Sequence, residues 1–124
     1  MTEITIYDKV GGKQFFVALV DRFYEGVAKD AILRPMYPPD LVPAKAHLAG
    51  FLSQYWGGPP QYSIERGHPR LRLRHAPFKI GVPERDAWVK HMTAALSKSD
   101  APPEIKAEML EYFESTATFL INQP

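Results

Sequence analysis

Apolar residues recur at intervals of three and four along most of this chain, and four stretches sustain the pattern long enough to be helices. From Lys13 onward, Phe16, Leu19, Val20, Phe23 and Val27 form one stripe, with Val17 and Tyr24 on its edge. From Pro43, Ala44, Leu48, Phe51, Leu52 and Tyr55 form a second, which stops at Gly57-Gly58-Pro59-Pro60, where glycine permits positive φ and proline blocks extension. Pro83 opens a third helix: Glu84 and Asp86 suit its N-terminal dipole, Trp88, Met92, Ala95 and Leu96 make its stripe, and it ends near Asp100. After Pro102-Pro103, Ile105, Met109, Tyr112, Phe113, Thr116 and Leu120 give the longest pattern, opposite a solvated face of Glu104, Glu108, Glu111 and Glu114. Strand alternation is confined to Leu71-Arg72-Leu73-Arg74, so the predicted fold class is all-α. No repeat, linker or low-complexity tract divides residues 1–124, which read as a single domain.

The stretches between helices are the more specific part of the pattern. Residues 1–12 form a short helix or extended lead-in with a corner at Gly11-Gly12. In Arg34-Pro35-Met36-Tyr37-Pro38-Pro39 the prolines disfavour helix and bias Met36, Tyr37 and Pro38 to extended backbone, which pins Tyr37 in a corner. Residues 57–70 are expected to be a long connection without periodicity, a length that points to function when it occurs inside a compact domain. Pro69 opens a helical segment of about two turns that Pro77 terminates, which places His75 on its last residues and Leu71 on the same face. His47 lies at the edge of the second apolar stripe.

Charge singles out the same region. Arg66–Lys79 holds five of the fifteen Lys and Arg and two of the four His without one of the fourteen acids, although the net charge is only +1. So local a basic patch suits a small anionic ligand better than nucleic acid, for which no known motif is present. The chain has no Cys, which excludes disulfides, thiolate metal sites, iron–sulfur clusters and Cys nucleophiles. A metal would have to be held by His, carboxylate or a prosthetic group. The glutamates of the last helix have the spacing of a di-iron site but lack the Glu-x-x-His pairs it needs. No apolar run approaches the roughly 18 residues of a membrane span and no signal peptide is evident, so a cytoplasmic protein with no membrane association is expected. His75, an imidazole on an apolar face among guanidinium groups, suits a neutral ligand for a metal inside an anionic cofactor; a basic loop with a satisfied histidine is the alternative.

Several blocks occur together: Tyr7-Asp8 with Val10-Gly11-Gly12, Arg22-Phe23-Tyr24, Leu33-Arg34 with Tyr37-Pro38, and Phe51-Leu52 leading into Gln54-Tyr55-Trp56-Gly57-Gly58-Pro59. They are followed by Arg66-Gly67-His68-Pro69-Arg70-Leu71-Arg72, Arg74-His75-Ala76-Pro77-Phe78 and Arg85-Asp86-Ala87-Trp88. With these blocks the chain resembles, over nearly its whole length, the truncated haemoglobins of the second group. The resemblance implies a two-over-two helical sandwich with haem b between the helix starting near Pro43 and the segment carrying His75. It makes His75 the proximal iron ligand, its second nitrogen oriented by a backbone carbonyl that Leu71 is placed to offer. It makes Arg66, Arg72 and Arg74, with His47 and Tyr62, candidates to bind the propionates. On the other haem face it places Tyr24, Tyr37 and Trp88 as hydrogen-bond donors to a ligand, and Ala44 where many globins carry a distal histidine. Leu48, Phe51, Leu52 and Met92 would form the apolar cage, with Leu71 and Phe78 also at the haem. Two departures from the family pattern stand out: His47 occupies a position more often Arg or Lys, and the proline-rich corner is one residue shorter than in some relatives.

The implied activity is reversible binding of oxygen or another diatomic ligand. A donor-rich pocket makes a poor deliverer, so storage, sensing or redox chemistry is as well supported as oxygen transport. The enzymatic alternative, peroxide reduction or nitric oxide oxidation, uses the same residues and needs a reductase partner. A homodimer is left open. A cofactor-free basic surface for nucleic acid or an acidic protein is the remaining reading, and no partner of that kind is expected.

Overall fold

The computed structural model describes residues 4–67 and 70–123, apart from the side chains of Arg72 and Leu73. Pro69, expected to open the His75 segment, and the Arg72 side chain, a propionate candidate, lie outside what is described. The elements in order are α1 (Ile6–Lys9), α2 (Lys13–Ala28), a 3₁₀ turn (Arg34–Met36), α3 (Val42–Tyr55), α4 (Gln61–Arg66), α5 (Leu71–His75), α6 (Val82–Ser97) and α7 (Pro103–Phe119). No strand occurs among the described residues, and none of their helices is long and apolar enough to cross a membrane. Helix α2 packs on α3 and on α6, and α6 packs on α7, so two helix pairs are joined through α2 and α6.

Local signals set most of the boundaries. Thr5 caps α1 in a reciprocal box with Asp8, and the two glycines that follow it adopt φ of 96° and 84°, a region that costs glycine little. The Glu84 carboxylate accepts the Gly81 amide at 2.7 Å at the start of α6, where Pro83 lies in the first turn. The core is built from Phe16, Leu19, Val20, Phe23 and Val27 of α2, Met92, Ala95 and Leu96 of α6, and Ile105, Met109 and Phe113 of α7, all buried. Trp56 stacks on Phe16 with ring centroids 6.0 Å apart and meets Phe113 edge-on at 5.6 Å. Fully burying side chains of this size contributes on the order of 1.5–3 kcal/mol each.

Three sequence expectations change. Residues 57–70 are not a bare connection, because 61–66 are helical. One buried side chain, Tyr62, leaves no period to read in so short a helix, and it is held from outside: Gln54 accepts the Ser63 amide at 2.8 Å and donates to its hydroxyl at 2.7 Å. Met36 is not extended but ends a 3₁₀ turn, since the fixed φ of Pro35 suits a first turn; Tyr37 is extended, with φ −116° and ψ 151°. Helix α3 buries Ala49, Leu52, Ser53 and, just past its end, Trp56, while Tyr55 is 51% exposed. Of the stripe read from the sequence, Leu52 joins the core, Tyr55 faces outward, and Ala44, Leu48 and Phe51 form a second apolar face of the same helix.

The N-terminal segment is tied to the end of α3 by the Tyr7 amide, which donates to the Trp56 carbonyl at 2.9 Å. A Cβ on Gly58 would lie 2.7 Å from the Tyr7 ring and 2.8 Å from the Ser53 carbonyl oxygen. Gly58→Ala is therefore expected to lower stability by about 1–3 kcal/mol, measured by chemical denaturation; an unchanged midpoint would show that the segment yields freely.

Candidate functional site

The second face of α3 looks into a cavity of about 430 Å³. Its walls come from α2, the corner, α3, α4, α5, α6 and α7, so it opens where the two helix pairs part. Tyr24, Tyr37, Ala44, His47, Leu48, Phe51, Leu52, Tyr62, Arg66, Leu71, Arg74, His75, Phe78 and Trp88 all line it. Met92 does not: it shares a face of α6 with Trp88 but lies one turn further along the helix, where that face is fully buried in the core.

His75 ends α5, a helix of five residues, and its Nδ1 lies 2.6 Å from the Leu71 carbonyl oxygen. Nδ1 must donate to that acceptor, so the lone pair of the neutral ring is on Nε2. The backbone after His75 is anchored by Asn122. Its side-chain oxygen accepts the Ile80 amide at 2.9 Å, and its Nδ2 donates to the carbonyls of Phe78 at 2.8 Å and His75 at 3.4 Å. Sequence reasoning missed Asn122, since a single polar residue near the end of the chain belongs to no period and no motif.

One rim of the cavity is cationic. The Arg66 and Arg74 guanidinium groups lie over the Tyr62 ring at 5.9 and 6.0 Å, Arg74 donates to the Arg66 carbonyl at 2.9 Å, and Arg66 Nη1 lies 3.0 Å from His47 Nε2. A guanidinium nitrogen only donates, so His47 accepts there in its neutral form. Burial, then Arg66 and Arg74, hold the His47 pKa below the usual histidine range.

Elsewhere on the wall three polar side chains meet one another. Trp88 and Tyr24 both present their donors toward the Tyr37 hydroxyl, the Tyr24 ring packs edge-on against Tyr37 at 5.5 Å, and no buried side-chain polar atom among the described residues lacks a partner. Burial raises the pKa of Tyr24 above the ordinary tyrosine range, reinforced by Tyr37; burial also raises that of Tyr37, against the opposing effect of the two hydrogen bonds it receives. Leu33, Met36, Ile80, Glu84, Arg85, Tyr112, Phe113, Thr116, Ala117 and Leu120 also line the cavity without having been expected there. The α7 members among them were legible as a helical stripe, but periodicity does not say which part of a stripe faces a void.

An apolar cavity with the oriented His75 imidazole on one wall, a cationic rim and a group of hydrogen-bond donors is what the interior of a globin requires. The model of the bacterial-like globin family matches residues 5–122. A group 2 truncated haemoglobin of Bacillus subtilis is 41% identical over 112 residues, covering 90% of this chain and 85% of its own. Among solved structures, a haemoglobin from the thermophilic phototrophic bacterium Chloroflexus aurantiacus is 50% identical with a TM-score of 0.95, covering 98% of this chain and all of its own. A truncated oxygen-avid haemoglobin from Bacillus subtilis is 40% identical with a TM-score of 0.89, covering 94% of this chain and 98% of its own. The chain belongs to the bacterial-like globins, within the group 2 truncated haemoglobins, and is thus a haem-based binder of diatomic ligands.

The raised tyrosine pKa values fix the sign of a pH dependence. A group whose pKa is higher folded than unfolded keeps its contribution below its unfolded pKa, about 10 for tyrosine, and loses it as pH rises toward the folded value. In an alkaline ultraviolet titration Tyr24 and Tyr37 are expected to ionise only as the protein unfolds. Ionisation of all six tyrosines in one step while the fold persists would contradict this.

Proposed function

We propose that the cavity takes haem b, with His75 Nε2 as the proximal iron ligand and with Trp88, Tyr24 and Tyr37 holding a diatomic ligand on the far side. The donor set suits that group. The His75 imidazole has a fixed orientation, the floor is apolar, and Arg66, Arg74, His47 and Tyr62 cluster on one rim as two propionate carboxylates require. When bound, haem supplies a ferrous iron whose sixth position takes oxygen, carbon monoxide or nitric oxide.

The observation that carries the reading is the convergence of Trp88 and Tyr24 on the Tyr37 hydroxyl inside an apolar cavity. Donors gathered at one point can turn to a ligand that gains negative charge, and they do so from fixed positions in a site of low dielectric. Ala44 leaves the space beside them open, so no imidazole from α3 competes for the ligand. Leu48, Phe51 and Leu52 would hold the macrocycle by apolar contact, and Phe78, 6.4 Å from the His75 ring, would pack beside the ligating imidazole. Leu71 acts through its carbonyl, which keeps the imidazole turned and enriches the ligating nitrogen. Arg66 exchanges its contact with His47 for a carboxylate, a stronger partner for a guanidinium. The result is tight oxygen binding with slow release, the behaviour of a store or sensor, in keeping with the oxygen-avid Bacillus subtilis relative.

The test is the rate of oxygen dissociation from the reduced, haem-loaded protein. At about 1 kcal/mol per neutral hydrogen bond, Trp88→Phe is expected to speed release by roughly five- to tenfold. Release at the wild-type rate would remove Trp88 from the ligand-holding role.

A further inference from the structure

Outside the cavity, one partly buried histidine–carboxylate hydrogen bond is not accounted for by haem or ligand. His91 Nε2 donates to Asp30 Oδ2 at 2.6 Å, with the two side chains only 17% and 14% exposed. Room has been made for it: a Cβ on Gly26 would overlap the His91 ring. Gly26 and Asp30 lie one turn apart at the end of α2, so a glycine, an aspartate and a histidine on a different helix are fitted to one contact.

What Asp30 does with its other atoms shows where the contact leads. Its Oδ1 accepts the amides of Ile32 at 2.7 Å and Leu33 at 3.0 Å, and its carbonyl accepts the Arg34 amide at 2.9 Å. Arg34 in turn donates to the carbonyls of Tyr37, Pro38 and Pro39 at 3.2, 3.1 and 3.0 Å. A continuous series of bonds therefore runs from His91 through Asp30 and Arg34 to the backbone of Tyr37. On the other side, His91 is three residues beyond Trp88 on α6, on the adjacent turn. The pair thus ties the corner bearing Tyr37 to the helix bearing Trp88, the two sides of the donor cluster.

We infer that Asp30 and His91 are positioning residues for the donor cluster: their hydrogen bond fixes the corner that carries Tyr37 against the helix that carries Trp88. The inference rests on the reading of Trp88, Tyr24 and Tyr37 as ligand-facing donors. It separates the roles of two ties between α2 and α6. The Arg22 Nε bond to the Ala95 carbonyl at 3.1 Å holds the helices together but reaches no corner residue, and it serves as the control.

Two readouts test it. The first is hydrogen exchange of the Trp88 indole N–H in haem-free protein, and the second is the C–O stretching band of carbon monoxide added to reduced, haem-loaded protein. Asp30→Ala and His91→Phe are expected to speed indole exchange about tenfold and to shift or split the C–O band, while His91→Gln, which keeps an N–H donor, restores both toward wild type. Arg22→Ala is expected to lower the unfolding temperature and leave both readouts in place. If Asp30→Ala and His91→Phe lower the unfolding temperature yet change neither readout, the pair is structural only and the inference falls. Should Asp30→Ala fail to fold, Asp30→Asn decides by the same measurements. A wild-type protein that takes up no haem would overturn the proposed function, while indole exchange in the haem-free chain would still decide the inference.

Discussion

The hydrogen bond from His75 Nδ1 to the Leu71 carbonyl, 2.6 Å long, fixes which nitrogen of that imidazole is free to act as a ligand. It is made within a five-residue helix, too short to be stable by itself. That helix must be held at both ends. Arg74 reaches back to the Arg66 carbonyl, and Asn122 grips the backbone from His75 to Ile80. The long α7 therefore serves the site twice: its stripe lines part of the cavity, and the residues just past its end anchor the segment that carries the imidazole.

The cavity persists because α3 carries more than one apolar face and the stripe of α6 runs from the core to the opening. In α3, Ala49, Leu52 and Trp56 fill the core while Ala44, Leu48 and Phe51 face the void. In α6, Met92 and Leu96 are buried and Trp88 turns to the opening. Helices with a single apolar stripe would close on one another and leave no space for a macrocycle. The polar residues on the wall lower their desolvation penalty by meeting one another: Trp88 and Tyr24 approach Tyr37, and His47 accepts from Arg66.

The helices, their order and the family were legible in the sequence, because stripes such as Phe16 to Val27 have a clear 3.6-residue period and the Tyr-Trp-Gly-Gly-Pro and His-Ala-Pro blocks are specific together. The residues brought to the cavity were mostly legible as well, by resemblance rather than by period. Three features were not. Helix α4 has one buried residue and depends on Gln54, a partner outside it. Met92 shares a stripe with Trp88, and a stripe does not record which side of it faces space. Asn122 and the Asp30–His91 pair act through contacts 42 to 61 residues apart in the chain, which leave no local trace.

The central claim is that His75 Nε2 is the iron ligand in this cavity, and the most direct test is a His75→Gly variant loaded with haem and titrated with free imidazole. The account predicts that the variant holds haem weakly, with an altered ferrous absorption spectrum, and that imidazole filling the vacated space restores the wild-type spectrum. A variant that keeps stoichiometric haem and an unchanged ferrous spectrum without imidazole would contradict it.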